Sequence, residues 1–169
     1  METRDLLIDG FGRVREIVHD VVGGLSEAEL AYRPDRDANS IAWLVWHLTR
    51  IEDDHVSDLA GTDQVWTAAG WHERCHLPFD ASATGYGFSS DEVAAVRVDP
   101  PDILLGYHDE VHAHAVRYLE RVDAAELDRI VDTRWDPPVT AGVRIVSVIS
   151  DALQHAGQAA YVRGLIERR

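Results

Sequence analysis

Apolar residues recur at intervals of three and four residues over four long stretches of the chain. This spacing places them on one face of an α-helix, so each stretch is predicted to form an amphipathic helix. Strand-like alternation is confined to short runs, which favours an all-α fold, a four-helix bundle spanning residues 1–169 as a single domain. The helices are predicted over 3–22 with Thr3 as the cap, 41–59 with Asn39 or Ser40 as the cap, 99–122, and 144–168.

The connection between the second and third predicted helices, residues 61–98, is a long insertion. Helix connections in bundles usually have about 2–8 residues, and much longer ones are often functional. Short helices are predicted over 63–68 and, after the cap Ser89, over 90–96. Trp71, Tyr86 and Phe88 lie between them. We expect this loop to cover a pocket that these rings line, with Trp71 and Tyr86 in contact with the substrate.

The last predicted helix carries a pair of side chains that suits a metal ion. Asp151 and His155 are four residues apart and therefore lie one turn apart on the same face. The best third candidate is His47, in the stretch 41–48, which is apolar nearly all round and therefore predicted to be buried. A core histidine bonded to a backbone group or a carboxylate is the alternative for His47. Three such ligands would leave positions on the metal open for chemistry.

Two other groups of residues compete with this site. His108 and His112 in the third predicted helix are also four apart, which taken alone is a better zinc signal, but no third ligand is evident. A mostly solvated, pH-sensitive face is the alternative interpretation of this pair. The loop residues His72, Cys75 and His76 also resemble metal ligands, without a second cluster to complete them.

Arg144 lies seven residues before Asp151, two turns away on the same side of the predicted helix. Its guanidinium group is therefore expected about 10 Å along the helix from the metal. There it could hold an anionic group of a substrate. A structural ion pair is the alternative.

Composition narrows the classes of partner. The formal net charge is −14, which argues against nucleic acid and anionic membranes as partners because cationic patches supply the affinity for both. Cys75 is the only cysteine, so no disulfide within the chain is expected. We see neither a signal-peptide pattern nor an apolar run of the ~20 residues that a membrane span needs. A soluble cytoplasmic protein is the expectation.

Two motifs resemble the DinB/YfiT-like superfamily: residues 39–48 (NSIAWLVWHL) followed by Glu52, and residues 154–158 (QHAGQ). The resemblance implies a four-helix bundle whose divalent metal is held by His47, Asp151 and His155. Many members carry histidine where Asp151 stands. With a carboxylate at this position, the chain resembles the branch that contains mycothiol-dependent maleylpyruvate isomerases and mycothiol S-transferases. The segments 135–140 and 70–71 are similar to the S-transferases.

The resemblance implies a metal-dependent thiol S-transferase with mycothiol as co-substrate and a role in detoxification. The thiol would be activated as a metal-bound thiolate and would attack an electrophile lodged under the 61–98 loop. Zinc is the first expectation, although nickel, iron or manganese suit such ligands too. Arg144 would position a carboxylate or sugar hydroxyls of the thiol, and no side chain is assigned as an obligatory general base. The alternatives are a metal-dependent hydrolase or isomerase that uses metal-bound water, and a non-catalytic metal-binding stress protein. A homodimer is implied by resemblance only.

Overall fold

The computed structural model describes residues 2–169 and confirms the all-α prediction. Within that range, no helix combines the length and the apolar character that crossing a membrane requires. Four long helices form the bundle, and short helices and one small hairpin connect them. In chain order the elements are α1 (Thr3–Val22), α2 (Glu27–Leu30), α3 (Ile41–Ala60), α4 (Val65–Ala68), α5 (Trp71–Cys75), α6 (Ser90–Ala95), α7 (Asp102–Leu119), α8 (Ala124–Asp128), β1 (Ile130–Asp132), β2 (Val139–Thr140) and α9 (Ala141–Ile166).

Side-chain caps set the starts of the two helices that carry the site. The Ser40 hydroxyl accepts from the backbone N–H of Trp43 at the start of α3, as one of the two expected caps. Thr140 does the same at the start of α9, which therefore begins three residues before the predicted Arg144. The predicted cap of α1 is wrong by one residue. Glu2 holds the cap position, and its N–H donates to the Asp5 carboxylate at 2.9 Å.

The four long helices pack so that α1 and α3 lie at opposite corners of the bundle. Each of them contacts both α7 and α9, whereas α1 and α3 contact each other only slightly. The first half of α3 is buried on every side, because α7, α9 and the long loop all cover it. Polar residues in this half of α3 therefore lie inside the molecule and need partners.

Buried polar residues of α3 fasten the long loop to the bundle. The Asp53 carboxylate accepts from the backbone N–H groups of Val65 and Trp66, which open α4, at 2.9 and 2.8 Å. Arg50 donates to the carbonyl of Ala83 at 3.1 Å. Because both side chains are fully buried, these bonds form away from competing water. The loop is thereby held beside the site instead of moving freely over it.

A small hairpin that the sequence did not predict precedes α9, because β1 and β2 pair antiparallel. Asp132 at the end of β1 is nearly buried and accepts from Arg134 at 2.8 Å and Arg144 at 3.3 Å. Elements of two and three residues are too short to show an alternating pattern. The hairpin places Arg144 against a carboxylate from the preceding loop.

Candidate metal centre

The three predicted ligands converge between α3 and α9. Their ligand atoms all lie within 4.8 Å of one another, and this is the one group of three such residues in the described part of the chain. His47 is 5% exposed. Asp151 and His155 are half-buried on the flank of α9, with Asp151 Oδ1 at 3.6 Å from His155 Nε2. The rings of His47 and His155 meet edge to face with their centroids 4.9 Å apart.

Hydrogen bonds at the far side of each imidazole decide which nitrogen faces the centre. His47 Nδ1 is 2.6 Å from the carbonyl oxygen of Thr84, and His155 Nδ1 is 3.1 Å from Gln158 Oε1. Both oxygens only accept, so each Nδ1 must carry the proton and donate it. In the neutral rings, Nε2 then keeps its lone pair for a metal ion.

A tryptophan and a glycine shape the walls of the centre. Trp43 stacks on His47 with their ring centroids 4.5 Å apart, and meets His155 edge-on at 5.9 Å. Gly85 has a φ of +90°, and a Cβ there would lie 3.0 Å from His47 Nδ1 and 3.0 Å from a Trp46 ring carbon. Only glycine therefore allows the loop to come this close while Thr84 accepts from His47.

Electrostatics favours a carboxylate and a neutral His47 at the centre. The contact with His155 lowers the pKa of Asp151, and the contact with Asp151 in turn raises the pKa of His155. Burial lowers the pKa of His47, which keeps that imidazole neutral. Asp151 is thus ionised at neutral pH, whereas His155 holds a proton more strongly than usual.

The donor set fits a divalent cation. Asp151 Oδ2 is buried and has no hydrogen-bond partner among residues 2–169. An unpaired buried carboxylate oxygen is unfavourable, and a cation would compensate it. Two imidazoles and one carboxylate are a ligand set that catalytic zinc sites use, with a position left open. His47, Asp151 and His155 would therefore hold the ion.

Arg144 occupies the ion pair that was the alternative to a substrate role. Its Nη2 lies 3.3 Å from Asp132 Oδ2, and its side chain lines a cavity of about 320 Å³ that His55 also lines. Burial first, and then the charge of Arg144, lower the pKa of His55, while Asp151 raises it. His55 therefore lies within electrostatic range of both the Arg144 cavity and the metal centre.

Of the two aromatic residues expected to contact the substrate, one is buried and the other is exposed. Trp71 is nearly buried, packs against Gly106 of α7, and donates its indole N–H to Glu110 Oε2 at 2.7 Å. α5 thus turns this ring toward the core, and its contact with a substrate remains a prediction. Tyr86 is 88% exposed and directly follows Gly85. Its contact with substrate remains a prediction.

The rival histidine pair in α7 has a different environment. His108 is fully buried, and its Nδ1 donates at 3.1 Å to the Thr49 hydroxyl, which itself donates to the Val45 carbonyl. Burial, and then the charge of His112, lower the pKa of His108 to about 3. Among residues 2–169 no third ligand joins this pair.

The three loop residues that resemble metal ligands are likewise not brought together as a site. His72 Nε2 donates to the Phe79 carbonyl at 3.2 Å. Cys75 is buried, and burial raises its thiol pKa to about 12. No group of three ligands includes these residues or His76 in the part of the chain that is described.

Several residues of the centre were not assigned from sequence. Gln158 lies three residues after His155, so helical spacing could have indicated the contact. Trp43 could have been found in the same way, four residues before His47. Thr84 and Gly85 leave no such signal, because 37 residues separate Thr84 from its partner.

Comparison with known proteins adds to this geometry. The family model described as mycothiol-S-transferase matches residues 6–168. A crystal structure described as the conserved protein of locus from Enterococcus faecalis is similar to the chain, with a TM-score of 0.93 and 30% sequence identity. The similarity covers 100% of this chain and 99% of that one. No curated protein matches the chain.

Proposed function

This chain belongs to the mycothiol S-transferase family, and from that premise we propose a metal-dependent enzyme that joins the sulfur of mycothiol to an electrophile. The observation that carries the proposal is the convergence of His47, Asp151 and His155 within 4.8 Å. Structural metal sites fill every position with protein ligands, whereas three ligands leave room for a substrate.

A divalent cation on these three residues, with zinc as the first expectation, would favour the thiolate form of a bound thiol, which is the nucleophile. Thr84 and Gln158 keep each imidazole in the tautomer with Nε2 free. Trp43 covers His47 with its ring, and the close approach of Gly85 excludes water from that side. The protein's part is thus to orient the ligands.

The proposed reaction is a substitution that needs only the thiol and the electrophile. A sulfur–carbon bond forms at the electrophile, the bond to the leaving group breaks, and that group departs with the electron pair. The proton of the thiol passes to solvent. The structure gives no reason to assign a side chain as an obligatory base, because the carboxylate nearest to the centre is itself a proposed ligand.

Arg144 and Tyr86 are proposed to contact the substrates. Tyr86 is exposed beside the loop that closes over His47. Arg144 lies in a cavity together with His55, and its side chain is only partly covered by Asp132. An anionic group of a bound substrate there would contact Arg144 in place of Asp132 or alongside it.

The test uses purified protein, mycothiol and monochlorobimane, whose chloride is the leaving group. We expect a fluorescent conjugate whose formation requires the enzyme and the thiol, stops when a chelator removes the metal, and resumes when zinc is restored. His155→Ala is expected to abolish the rate, whereas His112→Ala on α7 is the matched control and retains it.

Two results would contradict the proposal. Turnover of an ester or an isomerisable acid without added thiol would indicate chemistry on water. Stoichiometric metal binding without any thiol-dependent rate would indicate a non-catalytic metal-binding protein.

A further inference from the structure

A groove of about 700 Å³ lies between α9 and the loop over residues 34–39. This volume is in the range of small-molecule sites, about 300–1,000 Å³. The groove is lined in part by Asp35, Asn39, Gln154, Gln158, Tyr161 and Leu165. It is distinct from the Arg144 cavity, which has no lining residue in common with it.

Gln158 connects the groove to the metal centre. It lines the groove, and its Oε1 accepts from His155 Nδ1 at 3.1 Å. The groove therefore ends one side chain away from a proposed metal ligand. A molecule with one end at the metal and a bulky remainder would place that remainder here.

The polar residues of the groove retain unused hydrogen-bonding capacity. Gln154 donates its amide to Ser150, so its carbonyl oxygen stays available. Asp35 uses Oδ1 for the backbone N–H groups of residues 37 and 38, with Oδ2 left over. Tyr161 is 66% exposed. Amides, a carboxylate and an exposed ring together can bond hydroxyl groups and pack against the C–H face of a sugar.

The charge of the groove argues against an anionic ligand. No arginine is among its lining residues in the described part of the chain, the chain has no lysine, and Asp35 is negative. A thiol that carries carboxylates or phosphates would find no cationic partner there. A neutral, hydroxyl-rich group suits these residues better.

We propose that this groove binds the glucosaminyl-inositol part of the thiol co-substrate and so places its sulfur at the metal centre. The inference rests on the proposed function, because it takes mycothiol as the thiol. Mycothiol joins an N-acetylated cysteine to a neutral pseudodisaccharide. The pseudodisaccharide lies along Tyr161, Asn39 and Gln154, and the cysteinyl end passes Gln158 to reach the three ligands.

The experiment compares two thiols on the full, metal-containing protein by calorimetric titration. Mycothiol carries the pseudodisaccharide, and N-acetylcysteine amide is the same cysteinyl end without it. We expect Tyr161→Ala and Asn39→Ala each to raise the Kd for mycothiol about tenfold or more. The Kd for N-acetylcysteine amide is expected to stay within about twofold, which a general loss of structure would not produce.

Val146→Ala is the matched control, since Val146 is an exposed residue of the same helix outside the groove. It should leave both Kd values unchanged. Unchanged affinity for mycothiol in both groove variants, or equal affinity of the wild type for the two thiols, would overturn the inference. The titration measures binding without turnover. Absence of the bimane conjugate would therefore refute the proposed S-transfer, whereas the Kd values alone decide whether the groove binds mycothiol.

Discussion

At the candidate metal centre, each imidazole is held by a hydrogen bond at the ring nitrogen that faces away from the other candidate ligands. Thr84 accepts from His47 and Gln158 accepts from His155, and each contact selects the tautomer that leaves Nε2 free. Such outer contacts typically change metal affinity 10–100-fold when removed. The position of the Thr84 carbonyl depends in turn on the absence of a side chain at Gly85.

Replacing Gly85 by alanine is expected to weaken metal binding. The new methyl would lie 3.0 Å from His47 Nδ1, so the loop must retreat and the Thr84 bond must lengthen. The positive φ adds strain, and we expect a loss of about 1–3 kcal/mol in the free energy of unfolding. Gly87→Ala is the control, because Gly87 also has a positive φ but a Cβ there meets nothing within 4 Å. Equal metal affinity of the two variants in a chelator competition would count against this account.

Glu52 is expected to make stability depend on pH. Burial, followed by the charge of Asp53, raises the pKa of Glu52 to about 8, and neither carboxyl oxygen has a partner among residues 2–169. Between pH ~4.3 and about 8 the folded chain therefore holds a proton that the unfolded chain has lost, so stability falls as pH rises.

Glu52→Gln keeps the size and removes the ionisation. We expect it to raise the free energy of unfolding at pH 8 by about 1–3 kcal/mol and to change it little at pH 4. Denaturant titrations at several pH values would measure this, with exposed Glu16→Gln as the control. The same pH slope in Glu52→Gln and the wild type would refute the assignment.

Among the elements, α9 contributes most to the centre and to the proposed groove. Its regular turn places Asp151, His155 and Gln158 on one flank at spacings of four and three residues. The cap at Thr140 and the hairpin before it hold the start of this helix. The helical spacing therefore places two candidate ligands beside Gln158, whose amide both accepts from His155 and lines the groove.

Gln158→Leu is expected to weaken metal binding about 10–100-fold, because His155 loses the acceptor that orients its ring and selects its tautomer. Gln154→Ala is the control on the same helix, since the Gln154 amide bonds only Ser150. Competition with a chromophoric chelator would give both affinities. An equal loss of metal affinity in the two variants would show that the hydrogen bond from His155 to Gln158 does not support metal binding.

The long helices were predictable because each one repeats its apolar period over at least 18 residues. The hairpin and α5 were not predictable, since elements of two to five residues contain too little of any period. The burial of Trp71 by α5 was therefore not predicted. The prediction for Arg144 left two alternatives open, and its partner Asp132 lies in the hairpin that was missed.

For the molecule as a whole, family membership and fold followed from two motifs separated by about a hundred residues. The bundle brings these motifs together because α3 and α9 pack along each other. Burial all round α3 predicted that His47 points inside, and helical spacing predicted the Asp151–His155 pair. The loop that covers His47 is held by hydrogen bonds from Arg50 and Asp53 of α3 to loop residues 12 or more positions away. Contacts between residues so far apart in the sequence leave no local pattern from which they could be predicted.

The central claim is that one divalent ion is bound by residues of both motifs. The most direct measurement is the metal content per chain of the wild type, Asp151→Ala and His108→Ala, each checked for native helix content by circular dichroism. The account predicts one ion in the wild type and in His108→Ala, and none in Asp151→Ala. Metal retained in Asp151→Ala but lost in His108→Ala would contradict it and place the ion at α7.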